Sequence, residues 1–365
     1  MASHTTTQPL SPAMDLPSFI SALPKAELHV HLEGCLTPTL ARSLATRNNL
    51  PLPPSLSALD QTGSTYSFHD LTTFLQVYYP NLSVLQTSED FADLAVSYLT
   101  IAHAQNVKHC ELFFDPQAHT SRGVPFPTVV RGYQSGIQTA QRGLGISASL
   151  IMCFLRDHSA EYAMATLMSS LPFKDVIIGV GLDSDERDNP PSKFAAVFQR
   201  AAKEGFLITM HCDIDQPNTL THIGQAINEI QVDRIDHGTN VIDSPQLIST
   251  LKQRGVGLTT CPISNSIVTE DFKGKEIIEL LRQGVRVTVN SDDPAYFRGY
   301  VNENLLKIAS APDLNVTRKE LIQLQRNAFT ISWISSWKRN HFLQLLDEFE
   351  QKTLGSEEAQ MPNGI

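Results

Sequence analysis

The sequence predicts an α/β protein: a (β/α)8 TIM barrel with extra helices over its C-terminal face and at its C-terminus. Three observations carry this reading. Eight short apolar runs, each four to seven residues long, recur along the 365-residue chain. Segments with helical spacing lie between them, and repeated strand–helix alternation favours a parallel sheet with helical crossovers. Imidazoles and paired acids then fall at the C-terminal ends of the runs, where barrels of this kind carry their chemistry.

The runs are AELHVH at 26–31, HCELFF at 109–114, SASLIMC at 147–153 and VIIGVGL at 176–182, followed by LITMH at 207–211, DRID at 233–236, VGLTTC at 256–261 and RVTVNS at 286–291. Most are rich in Val, Ile, Thr or Phe, which suits buried strands. Residues 32–108 separate the first two runs, a gap that needs extra helices over the barrel mouth. Within it Phe91, Leu94, Ala95, Tyr98 and Ala102 recur at spacings of three and four, the apolar stripe of a surface helix. Phe194, Val197, Phe198 and Ala201 repeat the pattern, and Gly205 follows where a residue with positive φ is wanted. Further helix is expected around 321–331 and 341–349. Residues 16–352 are read as one domain between flexible tails at 1–15 and 353–365.

Composition narrows the function. The chain is 41% hydrophobic and 18% charged, inside the soluble globular range. A net charge of -10 without any basic cluster excludes a nucleic-acid footprint. No run approaches the roughly 20 apolar residues of a membrane span, and MASHTTTQPLSPAMDLPSF has no basic segment followed by an apolar stretch, so no signal peptide is expected. Five cysteines, an odd number without a CxxC pair, fit free thiols in a reducing compartment. The expectation is a cytoplasmic protein, with the nucleus as a second location. It acts on a small molecule, without nucleic-acid or membrane partners, and forms a homodimer as one option.

His29 and His31 end the first run, two residues apart, so their side chains share one side of a strand. His211 ends the fifth run, His237 lies just past the sixth, and Asp292 and Asp293 follow the eighth. Three imidazoles (His29, His31, His211) with the carboxylate of Asp292 suit Zn²⁺ with a position open for water. His237 then reads as the base that orients or deprotonates that water. An isolated HxH pair is weak evidence; partners at the matching strand ends make it strong.

These stretches resemble the adenosine/adenine deaminase family of the amidohydrolase superfamily. The matches are KAELHVHLEG (25–34), MH (210–211), RIDHG (234–238), CPISN (261–265) and NSDDPAYF (290–297). FFDPQAHTSRG (113–123) and GLDSDERDNPPSKF (181–194) resemble the adenine branch, its fungal members included. The likeness runs from Pro24 to Trp337. It implies the barrel, one zinc ion per chain held by His29, His31, His211 and Asp292, and His237 acting on the attacking water. It also implies that Asp293 bonds the heterocycle at its imidazole nitrogen and that Gly181 offers backbone to a ring nitrogen. Glu33 stands where nucleoside-type members direct an acid toward ribose. Ser264 and Asn265 match a loop that shapes the site. The implied reaction is adenine, or a closely related 6-substituted purine, plus water to hypoxanthine and ammonia.

One position departs from the family pattern. Members carry a glutamate three residues after the histidine matched by His211, whereas here the run is His211-Cys212-Asp213-Ile214. That glutamate protonates the ring nitrogen as water adds at C6; Ile214 cannot donate a proton and instead reads as an apolar wall against the substrate. Asp213 or Asp215 is the candidate replacement. Two other readings follow from Ile214: a zinc hydrolase redirected to another nitrogen heterocycle or amide, or an inactive zinc- and purine-binding relative.

Other residues read as structural. Cys35, Cys110, Cys212 and Cys261 are expected to pack in the core, and His109 and His119 to be structural or exposed, with His119 a possible pocket residue. Asp115 and Arg122 are read as caps or pairing partners on the loop after the second strand. Asp183 and Asp185 support the loop after the fourth. Trp333 and Trp337 serve the core or a dimer face.

Overall fold

A computed structural model of the chain describes residues 14–62, 68–212 and 216–358. Its strands are β1 (Lys25–His31), β2 (Val107–Phe114), β3 (Ser147–Leu155), β4 (Ile177–Asp183), β5 (Leu207–Ile208), β6 (His211–Cys212), β7 (Arg234–His237), β8 (Gly257–Thr260) and β9 (Val287–Val289). They pair in sequence order as two sheets, β1 to β5 and β6 to β9, and every neighbouring pair is parallel. Helices connect them, the arrangement that buries a parallel sheet on both faces and makes its strands read as unbroken apolar runs.

The run expected as one strand at 207–211 is split into β5 and β6. Thr209 and Met210 leave the regular ladder, and the Thr209 hydroxyl donates to Asp236 Oδ2 at 2.8 Å. The two sheets remain joined there: Thr209 N–H donates to the Val180 carbonyl at 3.0 Å and Asp236 N–H to the Met210 carbonyl at 2.9 Å. The opposite seam, between β1 and the end of β9, closes partly through side chains. Leu28 N–H donates to Asn290 Oδ1 at 2.8 Å and Ser291 N–H to Glu27 Oε1 at 3.0 Å. Asp292 N–H then donates to the His29 carbonyl at 3.0 Å, and His31 N–H to the Asp292 carbonyl at 2.9 Å. The fold is the expected TIM barrel, and this seam carries three of the residues singled out from sequence.

Between β1 and β2 lie the helices Pro38–Arg47, Pro54–Thr62, Leu71–Asn81 and Ser88–Ala104. The third of these places Phe74 and Tyr78, both buried, over the barrel mouth. Gly205 ends the helix Ala195–Glu204 with φ of 88°, as its sequence position suggested. Asp15 caps the helix Leu16–Ala22 by accepting from Ser18 N–H at 2.8 Å. The last helix, Ser336–Glu358, runs past the expected domain boundary at residue 352. No helix among the described residues is long and apolar enough to cross a membrane.

Helix Ser88–Ala104 starts from a reciprocal cap. Thr87 Oγ1 accepts from Asp90 N–H at 3.3 Å, while Asp90 Oδ2 accepts from the amides of Thr87 (2.7 Å) and Gln86 (2.9 Å) and from Asn48 Nδ2 (2.9 Å). Arg47 completes the ring of donors. Burial pushes the Asp90 carboxyl up, but these donors outweigh it and hold the group below its ordinary value. A depressed carboxyl stabilises the fold fully above the unfolded value of about 3.9 and loses that contribution as pH falls through the folded value. Asp90→Ala should therefore cost about 2–3 kcal/mol near neutral pH. Its unfolding curve should converge with the parent's in acid, and equal denaturation midpoints at pH 7 would contradict this.

Candidate active site

Four strand ends bring their imidazoles and acids to one point. His29 Nε2 lies 3.3 Å, and His31 Nε2 3.5 Å, from Asp292 Oδ1, and His237 Nε2 lies 3.6 Å from Asp292 Oδ2. His31 Nε2 and His211 Nε2 face each other at 3.3 Å. His29, His211, His237 and Asp292 each offer a ligand atom within 4.8 Å of the others, and all are buried. His31 and His237 thus both reach Asp292.

Backbone geometry aims these groups. His237, the last residue of β7 rather than the residue beyond it, has φ of 58°, and Asp292 has φ of 66°. Such left-handed conformations cost about 1–3 kcal/mol each in non-glycine residues and concentrate at sites where side chains must be re-aimed.

The donor set fits a divalent cation. His29 Nε2 is fully buried and has no hydrogen-bond partner. Two of the Nδ1 atoms are engaged: His29 Nδ1 lies 3.0 Å from both the carbonyl and the hydroxyl of Thr259, and His211 Nδ1 lies 3.1 Å from the Leu182 carbonyl. His31 Nδ1 lies 3.6 Å from Asp183 Oδ2. At His29 and His211 the tied Nδ1 leaves the Nε2 lone pair pointing at the centre, as in metal-binding histidines. Burial pushes His31 down to about 4 and also lowers His211 and His237, so these rings are neutral and able to ligate near pH 7. At His29 burial is outweighed by Asp292 and Asp236, which raise it. Burial raises Asp292 too, but His29, His237 and His31 hold it well below the carboxylate range. Its neighbour Asp293 goes the other way, driven well up by burial and by Asp292.

A cavity opens above this cluster. His31, His211, His237 and Asp292 reach it, with Asp293, Ser264 and Asn265 beside them. Leu71, Phe74, Leu75, Val268 and Phe297 make its wall apolar, and Tyr78 and Tyr79 complete it.

Two residues named from sequence as substrate contacts are not among those that line the cavity. Glu33 is buried but does not line the cavity. Its Oε1 accepts from Tyr133 OH (2.8 Å) and from the Asp115 amide (3.3 Å), and lies 2.9 Å from His119 Nε2, so it ties the end of β1 to the end of β2. Gly181 sits inside β4, where an added Cβ would lie 2.6 Å from Cys153 Sγ. Asp213, Ile214 and Asp215 lie outside the described residues.

Sequence reasoning missed Asp115 and Asp183 as cavity residues. Asp115 directly follows β2 and Asp183 ends β4, and both line the cavity. The strand-end rule already applied to the histidines would have found them. Burial raises Asp183 to about 7, and burial together with Asp183 drives Asp115 well up. Asp185 instead pairs with Arg187 at the surface. His109 and His119 are buried and structural, and Arg122 Nη2 lies 2.8 Å from His119 Nδ1. All five cysteines are buried thiols outside any disulfide. Trp333 stacks on the buried Arg234 guanidinium at 4.1 Å, whereas Trp337 is 76% exposed.

Gly34 shows why the first motif ends in glycine. A Cβ there would lie 2.0 Å from Asp293 Oδ1 and 2.7 Å from its Cα, an impossible approach to both side chain and backbone. Gly34→Ala should displace Asp293 while sparing the metal donors. A misplacement of about 1 Å costs about 10² in rate, so kcat/KM should fall about 10²-fold with bound metal unchanged, measured by kinetics and metal analysis. Parental kinetics would show that Asp293 tolerates the shift.

Comparison with known proteins matches the site to its relatives. The family model described as adenosine deaminase matches residues 24–349, which include every residue of the buried imidazole–carboxylate cluster. The chain belongs to the adenosine deaminase family. Within that family it is 48% identical over 336 residues to an uncharacterized deaminase of Schizosaccharomyces pombe, covering 92% of this chain and 98% of that one. It is 44% identical over 344 residues to the adenine deaminase of Trichlorobacter lovleyi, covering 93% and 97%. The crystal structure of the adenine deaminase from Arthrobacter aurescens superposes with a TM-score of 0.84 at 38% identity, covering 90% of this chain and 99% of that one.

Proposed function

We propose that this protein is a zinc-dependent hydrolytic deaminase of adenine or a closely related 6-substituted purine, yielding hypoxanthine and ammonia from adenine and water. The observation that carries the reading is the buried cluster of imidazoles around Asp292, set beneath an apolar-walled cavity with Asp293 at its side. Relatives named adenine deaminase support deamination of this base over a redirected hydrolase or an inactive binder.

In this reading His29, His31, His211 and Asp292 hold one zinc ion per chain. When bound there, zinc would supply a nucleophile at neutral pH by lowering the pKa of water to about 7. His237, its imidazole neutral, orients the attacking water and takes its proton. Asp293, its carboxyl pushed well above the ordinary value by burial and by Asp292, bonds the purine at its imidazole nitrogen. The apolar wall excludes water from the flat faces of the ring. The proton needed at the adjacent ring nitrogen comes from Asp213 or Asp215, the acids flanking Ile214.

A steady-state assay of zinc-loaded protein with adenine, reading hypoxanthine and ammonia together, tests the reading. Equal release of both at a kcat within roughly 1–10³ s⁻¹ is expected. No product from adenine would remove it as the substrate.

A further inference from the structure

His211 sits where the two sheets part. β4 pairs with β5 and not with β6, so the ladder on that side supplies no amide to the His211 carbonyl. A side chain takes the place of one. Arg156, the residue after β3, donates from Nη1 to the His211 carbonyl at 2.9 Å and from Nε to the Asn189 carbonyl at 3.0 Å. Its guanidinium is fixed in turn. Glu186, in the loop after β4, lies 3.2 Å from Nη1, and its other oxygen meets Nδ1 of His222 on the helix Thr219–Gln225. His222 Nε2 lies 3.0 Å from Asn218 Nδ2. Lys193 ties down both sides of the bridge, donating to the Arg156 carbonyl at 2.9 Å and to Asn189 Oδ1 at 2.6 Å. Arg156 and Glu186 are wholly buried and His222 nearly so.

A buried ion pair does little for stability by itself, because desolvation offsets most of the attraction and apolar replacements are often no less stable. This one also leaves Arg156 Nη2 buried without a partner, which adds to the cost. What the arrangement achieves is direction. A rigid guanidinium fork fixes the groups it binds at set angles, and one of them is the main chain of a residue whose imidazole faces the buried cluster. With Nδ1 of that imidazole 3.1 Å from the Leu182 carbonyl, His211 is held both at its ring and at its backbone. We propose that Arg156 is a positioning residue for His211, acting through the His211 carbonyl, and that Glu186 and His222 hold the guanidinium at the angle this requires. The proposal rests on His211 as a metal ligand in the deaminase reading above. Without the bridge the peptide after His211 can turn, and the Nε2 lone pair loses its aim.

The test uses Arg156→Met, Arg156→Lys and Glu186→Gln in the full chain. Zinc affinity is measured by competition with a chelator, the visible spectrum is recorded with Co²⁺ in place of zinc, and the unfolding midpoint is taken on metal-free protein. Arg156→Met removes both carbonyl contacts. It should weaken zinc binding about 10- to 100-fold, the usual effect of losing an outer partner of a metal-binding histidine, and change the Co²⁺ spectrum. kcat for adenine should fall by a similar factor, with KM little changed. Arg156→Lys keeps the charge but offers a point donor in place of a fork, so it should recover part of the zinc affinity. Glu186→Gln should shift affinity and spectrum in the same direction by less. A folded Arg156→Met with the parental zinc affinity and Co²⁺ spectrum would overturn the proposal whatever its midpoint, since a merely structural bridge lowers the midpoint alone. If Arg156→Met does not fold, parental affinity and spectrum in both other variants would overturn it. A parent protein that binds zinc but leaves adenine unchanged would overturn the deaminase reading alone, because the positioning role is read from the metal. A parent that binds no zinc would overturn both.

Discussion

Asp292→Asn is expected to release the metal and to lower kcat/KM for adenine on the order of 10⁴-fold or more, because the route that brings the pKa of water down to about 7 is lost. Asp292 lies within 3.3–3.6 Å of His29, His31 and His237, and it is the one carboxylate in the buried four-residue group. Taking its charge away leaves neutral imidazoles in a buried site to hold a dication. The substitution separates chemistry from folding. The closing seam uses the backbone N–H and carbonyl of Asp292, which the change leaves in place. Its φ of 66° is one that asparagine tolerates. Thermal unfolding of the metal-free proteins should therefore be similar for parent and variant, while metal analysis should find the variant empty after dialysis. A variant that keeps both its zinc and its turnover would remove Asp292 from the proposed ligand set.

The second large effect concerns the acid that the family pattern leads one to expect and this chain lacks. Of Asp213→Ala and Asp215→Ala, one should lower kcat about 10²- to 10⁴-fold, the usual contribution of a general acid, with zinc content unchanged. Water addition at C6 places negative charge on the neighbouring ring nitrogen, and a proton delivered there lowers the barrier. Isoleucine at position 214 has no proton to give, whereas the residues on either side do. Aspartate is one methylene shorter than glutamate, so the main chain between Cys212 and Gln216 has to supply the reach. Parental rates in both variants would mean that the proton comes from elsewhere.

Much of the barrel was legible because parallel strands buried on both faces are continuous apolar runs whose period needs no partner to be seen. Strand breaks were not legible. The interruption at Thr209–Met210 accompanies a hydroxyl bonded to Asp236 on the neighbouring strand, and β9 stops at Val289 where the Asn290 and Glu27 side chains take over from the ladder. The convergence of His29, His31, His211, His237 and Asp292 followed from their positions at strand ends, since a barrel collects those ends on one face. The partners of Glu33 were not legible either. An acid in a motif looks the same in sequence whether it faces a ligand or a neighbour, and here Asp115, His119 and Tyr133, all distant in sequence, occupy its Oε1. Asp115 and Asp183 were underrated because their motifs also read as turns. Only the fold brings them together in one cavity.

The most direct test of metal-dependent adenine deamination is a zinc titration of metal-free protein, with hypoxanthine formation from adenine followed at each addition. The account predicts negligible turnover at the start, a linear rise and a break at one zinc per chain, with ammonia matching hypoxanthine throughout. Full turnover in the metal-free protein, or none at any zinc content, would contradict it.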